Sequence, residues 1–281
     1  MTDNTNPLAG HFRQPKLYVK LPSGGQFNNK EALDMPENGE LAIFPMTAKD
    51  ELLMKNPDAL LNGDAVVQVI QSCVPSVKNA YELMSTDIDA LLLAIQAATN
   101  GDEVEVNEKC EECEHDITGT TSVQGALDAI EPLQENYVAE IDNLEIVLRP
   151  LQYKKTIEAG LVNFQTTRSL QSITELADDM DKLKIFNENF TKLAFLNFSL
   201  LVDTIYSITI KGEEDVVVTD REQIQEFLDN CESKVGQEIT EESKKLSNIA
   251  IQKDIPFECE ECGHTFTKVM ALDPVNFFTP S

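Results

Sequence analysis

Two six-residue phrases hold the side chains of this sequence best suited to chemistry: Cys110-Glu111-Glu112-Cys113-Glu114-His115 and Cys259-Glu260-Glu261-Cys262-Gly263-His264. They agree at all but one aligned position, and 145 residues lie between Cys113 and Cys259. A CxxC turn presents both sulfurs to one ion, so two such turns supply the four thiolates of a structural zinc shell. Cys110, Cys113, Cys259 and Cys262 are therefore expected to hold one Zn2+ in a closed tetrahedral site. Four sulfurs leave no open coordination position, so no catalysis is expected from the metal. His115 and His264 each lie two residues past a cysteine, where they could replace a thiolate or stand behind the ligands.

The rival chemistry for a CxxC is dithiol redox exchange, which needs a thiolate favoured by a helix amino terminus or a nearby cation. Here Glu108, Glu111, Glu112 and Glu114 crowd one pair, and Glu258, Glu260 and Glu261 the other. Those carboxylates disfavour free thiolates, whereas a dication would welcome them. The same acids stand where phosphate contacts would need Lys or Arg, which argues against nucleic acid. No glycine-rich phosphate loop, nucleophile elbow or HExxH occurs, and His11 stands alone. No enzymatic activity is expected.

In a zinc ribbon each CxxC sits on a turn between two strands. Val104 and Val106 alternate up to the first phrase, Ile255–Glu258 enters the second, and Thr265–Leu272 alternates after it. Gly263 suits the turn, and Phe266 and Val269 are placed to pack beside the metal. The remaining elements frame this clasp. Residues 1–15 read as a flexible arm. Residues 16–101 read as a mixed, mostly helical region: Leu17, Val19 and Leu21 alternate as a strand, Leu41–Phe44 is a second strand, and Thr47 with Asp50 forms a capping box. Ile88, Leu91, Leu92 and Ile95 mark one face of a helix ended by Asn100-Gly101. Residues 117–254 read as a mainly helical insert. It has a strand at Leu144–Leu148, helices over about 153–173, 173–210, 220–232 and 238–250, and a strand-like Val216–Val218. Four phenylalanines from Phe186 to Phe198 read as core or helix-pairing residues. The expected fold class is α+β, predominantly helical. Its zinc-ribbon-like β element joins residues 102–116 to 255–281 around the insert.

The chain has 281 residues, 31.3 kDa of mass and 42% hydrophobic content, enough for one large core or two modest ones. With 49 acidic against 22 basic residues its formal charge is −27. That charge opposes binding to nucleic acid or anionic membranes and favours solvation or a basic partner. No apolar run approaches the roughly 18–20 residues of a membrane span. The first ten residues lack the pattern of a secretory signal, so the Asn189 and Asn197 sequons carry no weight. Four of six cysteines in CxxC pairs fit a reducing cytoplasm. Cys73, beside Val66 and Ile70, and Cys231, beside Ile224, Phe227 and Leu228, read as inert core thiols.

The run Gln14-Pro15-Lys16-Leu17-Tyr18-Val19-Lys20-Leu21-Pro22-Ser23-Gly24-Gly25, then Pro45-Met46-Thr47-Ala48-Lys49-Asp50-Glu51 and Asn56–Val66, resembles the baseplate hub assembly proteins of T-even-type contractile-tailed bacteriophages. Asp273-Pro274-Val275-Asn276-Phe277-Phe278, after the second phrase, is similar to that family too. The resemblance is strong over residues 8–116 and 250–281 and diffuse across the helical middle. It implies a non-enzymatic hub component or assembly factor whose partners are other hub proteins or the tape-measure protein. It would act in the host cytoplasm during assembly or reside in the virion tail baseplate, and a homo-oligomer is compatible with that role. The reading from another class is an acidic zinc-ribbon adaptor that engages host transcription or other cytoplasmic machinery.

Overall fold

The computed structural model describes residues 6–128, 137–172, 179–247 and 254–269. Its first layer is built around one helix. Strand β1 (Leu17–Val19) pairs antiparallel with β2 (Leu41–Ile43), and helices α1 (Ala48–Met54), α2 (Pro57–Leu61), α3 (Asp64–Cys73) and α4 (Ser85–Asn100) follow. The expected capping box starts α1: Thr47 accepts from the Asp50 N–H, and Asp50 accepts from the Thr47 N–H. Asn56 caps α2, with Pro57 in the first turn. Between α2 and α3, Gly63 takes φ 77°, and Ile157 lies within 2.8 Å of where a Cβ would stand. No other residue fits there.

Helix α4 is buried on more than one face, and Ile88, Leu91, Leu92, Leu93 and Ile95 are almost wholly buried. Such a helix belongs inside a protein rather than on its surface. Leu91, Ile95 and Ala98 pack with Leu41, Ile43, Val66 and Ile70. Two polar ties hold the preceding segments to this core. Asp87, with no exposed surface, accepts from the Ser23 N–H at 2.9 Å, the Ser23 hydroxyl at 2.6 Å and the Asn28 amide at 2.8 Å. Arg13 donates to the Pro45 and Ser72 carbonyls, both at 2.7 Å, and pairs with Asp50 at 3.3 Å while lying over the Phe44 ring.

A second core forms on a four-stranded antiparallel sheet in sequential order: β5 (Tyr137–Ile141), β6 (Leu144–Leu148), β7 (Ile205–Ile210) and β8 (Val216–Val218). Helices α6 (Tyr153–Ser172) and α7 (Asp179–Thr204) form a hairpin inserted between β6 and β7. Helices α8 (Arg221–Asn230) and α9 (Ser233–Ser247) follow β8. Ile146, Leu148, Val202, Ile208, Ile224 and Ile239 meet in the interior. This sheet departs from the expected helix over 173–210. Helix α7 stops at Thr204, and Ile205–Ile210, rich in β-branched residues, becomes an inner strand bonded to β6 on one side and β8 on the other. The last helix begins earlier than expected, at Ser233. Of the four phenylalanines read as core or helix-pairing residues, Phe186, Phe190 and Phe195 are exposed, and only Phe198 packs against the interior.

The third unit is a pair of β-hairpins. Strand β3 (Glu103–Lys109) pairs with β4 (Asp116–Ser122), which runs into the short α5 (Val123–Asp128). Strand β9 (Asp254–Glu258) pairs with β10 (Thr265–Val269). The fold is thus α+β. Positions 270–272 of the expected last strand, and Phe277-Phe278, lie outside the described residues.

Candidate metal centre

Each cysteine phrase forms the loop of one of these hairpins. The pairs flanking the loops are Lys109↔Asp116 and Glu258↔Thr265, so the loops have equal length and equivalent register. Their internal bonds also correspond. The Cys110 N–H donates to His115 O at 2.9 Å and the Glu114 N–H to Cys110 O at 3.0 Å. The Cys259 N–H donates to His264 O at 2.9 Å and the Gly263 N–H to Cys259 O at 2.8 Å. These bonds fold each CxxC so that both of its sulfurs face the same way. The chain therefore builds one small device twice.

The two devices meet face to face. Cys110 Sγ lies 3.5 Å from Cys262 Sγ, and Cys113 Sγ lies 3.5 Å from Cys259 Sγ, pairing the first cysteine of each loop with the second of the other. All four sulfurs fall within 4.8 Å of one another. A Zn–S bond of about 2.3 Å puts the sulfurs of a regular tetrahedron about 3.8 Å apart, so the cluster has the dimensions of a four-thiolate site. Among the described residues it is the one group of three or more His, Cys, Asp or Glu side chains placed to hold a metal ion.

The electrostatics oppose full ionisation of the four thiols together. Burial opposes the Cys110 thiolate, but the N–H groups of Cys113 and Glu112 and the neighbouring sulfurs bring that thiol down to about 6. The His115 N–H favours the Cys113 thiolate too, yet the sulfurs of Cys262, Cys259 and Cys110, with desolvation, push it up to about 12. One proton leaves easily and the next does not, because thiolates this close repel one another. A divalent ion would remove that conflict, since ligation requires all four to be deprotonated.

Both histidines lie outside the sulfur cluster. His115 is exposed. His264 stacks on Phe266 at 5.7 Å between ring centroids, and Phe266 stacks on Phe257 at 5.4 Å. Phe266 thus lies beside the site, as its position suggested, whereas the Val269 side chain is outside the described set. Cys73 and Cys231 are not part of the cluster. Cys73 is fully buried, and burial and the Asp50 carboxylate push its thiol up to about 11 against the pull of Arg13. Cys231 is half-buried against the second core.

What positions the centre is α4. Cys110, Cys259, Ile117, Val123 and Phe257 form a small core with Leu93 of α4, and Ala97 packs at its edge. The buried cysteine of each loop faces this core, while Cys113 and Cys262 face solvent. Leu93 and Ala97 carry no signal in the sequence beyond a helix that is apolar on more than one face.

A family model described as T4 bacteriophage base plate protein matches residues 14–279. The chain belongs to this family. The match takes in the base-plate family's amino-terminal core, the inserted sheet and helices, and both cysteine loops. No curated protein matches the chain, and no solved structure does. No helix among the described residues of this base-plate family member is long and apolar enough to cross a membrane.

Proposed function

We propose that this base-plate family protein is a non-enzymatic component or assembly factor of the tail baseplate hub, clasped by one structural zinc. The convergence of four cysteines within 4.8 Å carries the zinc reading. Cys110, Cys113, Cys259 and Cys262 would hold the ion, which would supply cross-linking and charge neutralisation rather than catalysis. Two small hairpins, each unable to bury much apolar surface, gain a joint core when their loops share an ion. The family match supports the baseplate setting. Its partners on this reading are other hub proteins or the tape-measure protein, met in the host cytoplasm and carried into the tail.

Elemental analysis of the full chain, purified without chelator, tests the clasp. One zinc per chain is expected, with none in Cys259→Ser and a lowered unfolding midpoint. A metal-free, cooperatively folded wild type would overturn it. Mass spectrometry of purified virions tests the setting: retention marks a structural subunit and absence an assembly factor. A deletion that leaves tail assembly intact would refute both.

A further inference from the structure

The helical hairpin is built inside out. No α7 residue before Phe198 joins any of the three described cores, and of α6 only Tyr153 and Ile157 do. Residues 179–197 of α7 therefore extend about 28 Å past the last core contact, at 1.5 Å per residue. Along this free part the fully buried positions among the described residues are polar: Thr166 on α6 and Asn189 on α7. The Asn189 amide donates to the Ser169 hydroxyl at 3.1 Å across the pair. Ile185, Leu193 and Leu196 of α7 are half-buried, but other large apolar side chains are open to solvent. Leu183 is 59% exposed, Phe186 54%, Phe190 66% and Phe195 71%. Leu183, Phe186, Phe190 and Leu193 also follow the three-four spacing of a helix-pairing seam.

We infer that a second copy of this chain covers the outer face of α7, so that two hairpins pack helix against helix. Charge selects this occupant. The whole chain carries 49 acidic and 22 basic residues, but α6 and α7 together carry five acidic and six basic. On a surface that otherwise repels its own kind, the hairpin is where two copies meet without like-charge repulsion. Area is sufficient as well. Phe195 stands about 180° round the helix from Phe186 and lies off this seam. At these exposures Leu183, Phe186 and Phe190 hold roughly 360 Å2 per chain, or about 720 Å2 for the pair. With apolar atoms making up about 56–65% of an interface, that corresponds to roughly 1,100–1,300 Å2 in all, the lower bound of a specific contact. The inference does not depend on the metal or on a place in the hub.

Sedimentation velocity of the full chain over a range of concentrations tests it. A reversible dimer is expected, tightened by added salt because screening relieves the repulsion of the acidic remainder. Phe190→Asp and Phe186→Asp should each raise the dissociation constant at least tenfold, with the far-ultraviolet circular dichroism unchanged because both positions are exposed. Leu52→Asp, at an apolar residue 69% exposed elsewhere, should leave the dimer intact. A wild type monomeric at every concentration, or a dimer indifferent to both phenylalanine variants, would overturn the inference. The first result would leave the face to a helix of another protein, and the second would place the dimer contact elsewhere.

Discussion

Glu114 and Gly263 occupy the same left-handed position in the two cysteine loops, at φ 59° and 71°. This is the position at which the two phrases differ. Glycine takes that conformation freely, while a side chain strains it. Glu114→Gly is expected to stabilise the metal-loaded protein by roughly 0.5–1 kcal/mol in urea denaturation. Gly263→Ala should cost about as much through the backbone alone, since nothing lies within 4 Å of the added carbon. Glu114→Ala removes the charge but keeps the Cβ, so it separates strain from electrostatics and should gain little.

The buried carboxylate of Asp87 faces donors only: the Ser23 N–H, the Ser23 hydroxyl and the Asn28 amide. Asp87→Asn would turn its own N–H2 toward at least one of them. The near-isosteric variant should therefore be destabilised by about 1–3 kcal/mol, close to Asp87→Ala. Chemical denaturation of the two variants side by side checks this, and a harmless Asp87→Asn would contradict it.

Arg13 ties the amino-terminal segment to α1 and α3 through a planar fork that no lysine reproduces. Arg13→Ala leaves Asp50, which is 3% exposed, without its cation. It should cost about 2–4 kcal/mol. Arg13→Lys should recover less than half of that. Limited proteolysis should cut the first fifteen residues of both variants faster than those of the wild type.

Asp89, on α4, lines a cleft of about 730 Å3 shared with α7 and α9. Burial pushes its carboxyl from 3.8 up to about 7. The folded protein therefore binds this proton more tightly than the unfolded chain does, and stability should fall as pH rises from about 4 to about 7. Asp89→Asn should flatten that part of the profile and leave the protein more stable than wild type at pH 8. Thermal unfolding across this pH range, compared between the two proteins, measures it. An unchanged slope would show that Asp89 does not titrate there.

The cysteine cluster was legible because ligation needs particular atoms at particular spacing, and little else in a sequence produces a repeated CxxC. The capping box at Thr47 was legible for the same local reason. Strand β7 was not. Ile205–Ile210 follows α7 without a glycine or proline between them, and Leu201, Ile205 and Ile208 keep helical spacing until the pairing with β6 and β8 is known. The Ser23–Asp87 and Arg13–Ser72 contacts join residues about sixty positions apart, so no local pattern announces them. For the phenylalanines of α7 the sequence leaves core and helix pairing open, because periodicity reports an apolar face without saying what covers it.

A growing chain emerges from its amino terminus, and the two cysteine loops stand far apart along it. At roughly 5–20 residues per second, Cys110 and Cys113 wait about 7–30 s for Cys259 to be synthesised. During that interval two thiols of the site are present and the other two do not yet exist. On the proposed clasp, an ion bound by all four sulfurs would mark a polypeptide translated at least as far as Cys262. Any shorter product, whatever it has already folded, lacks the closure.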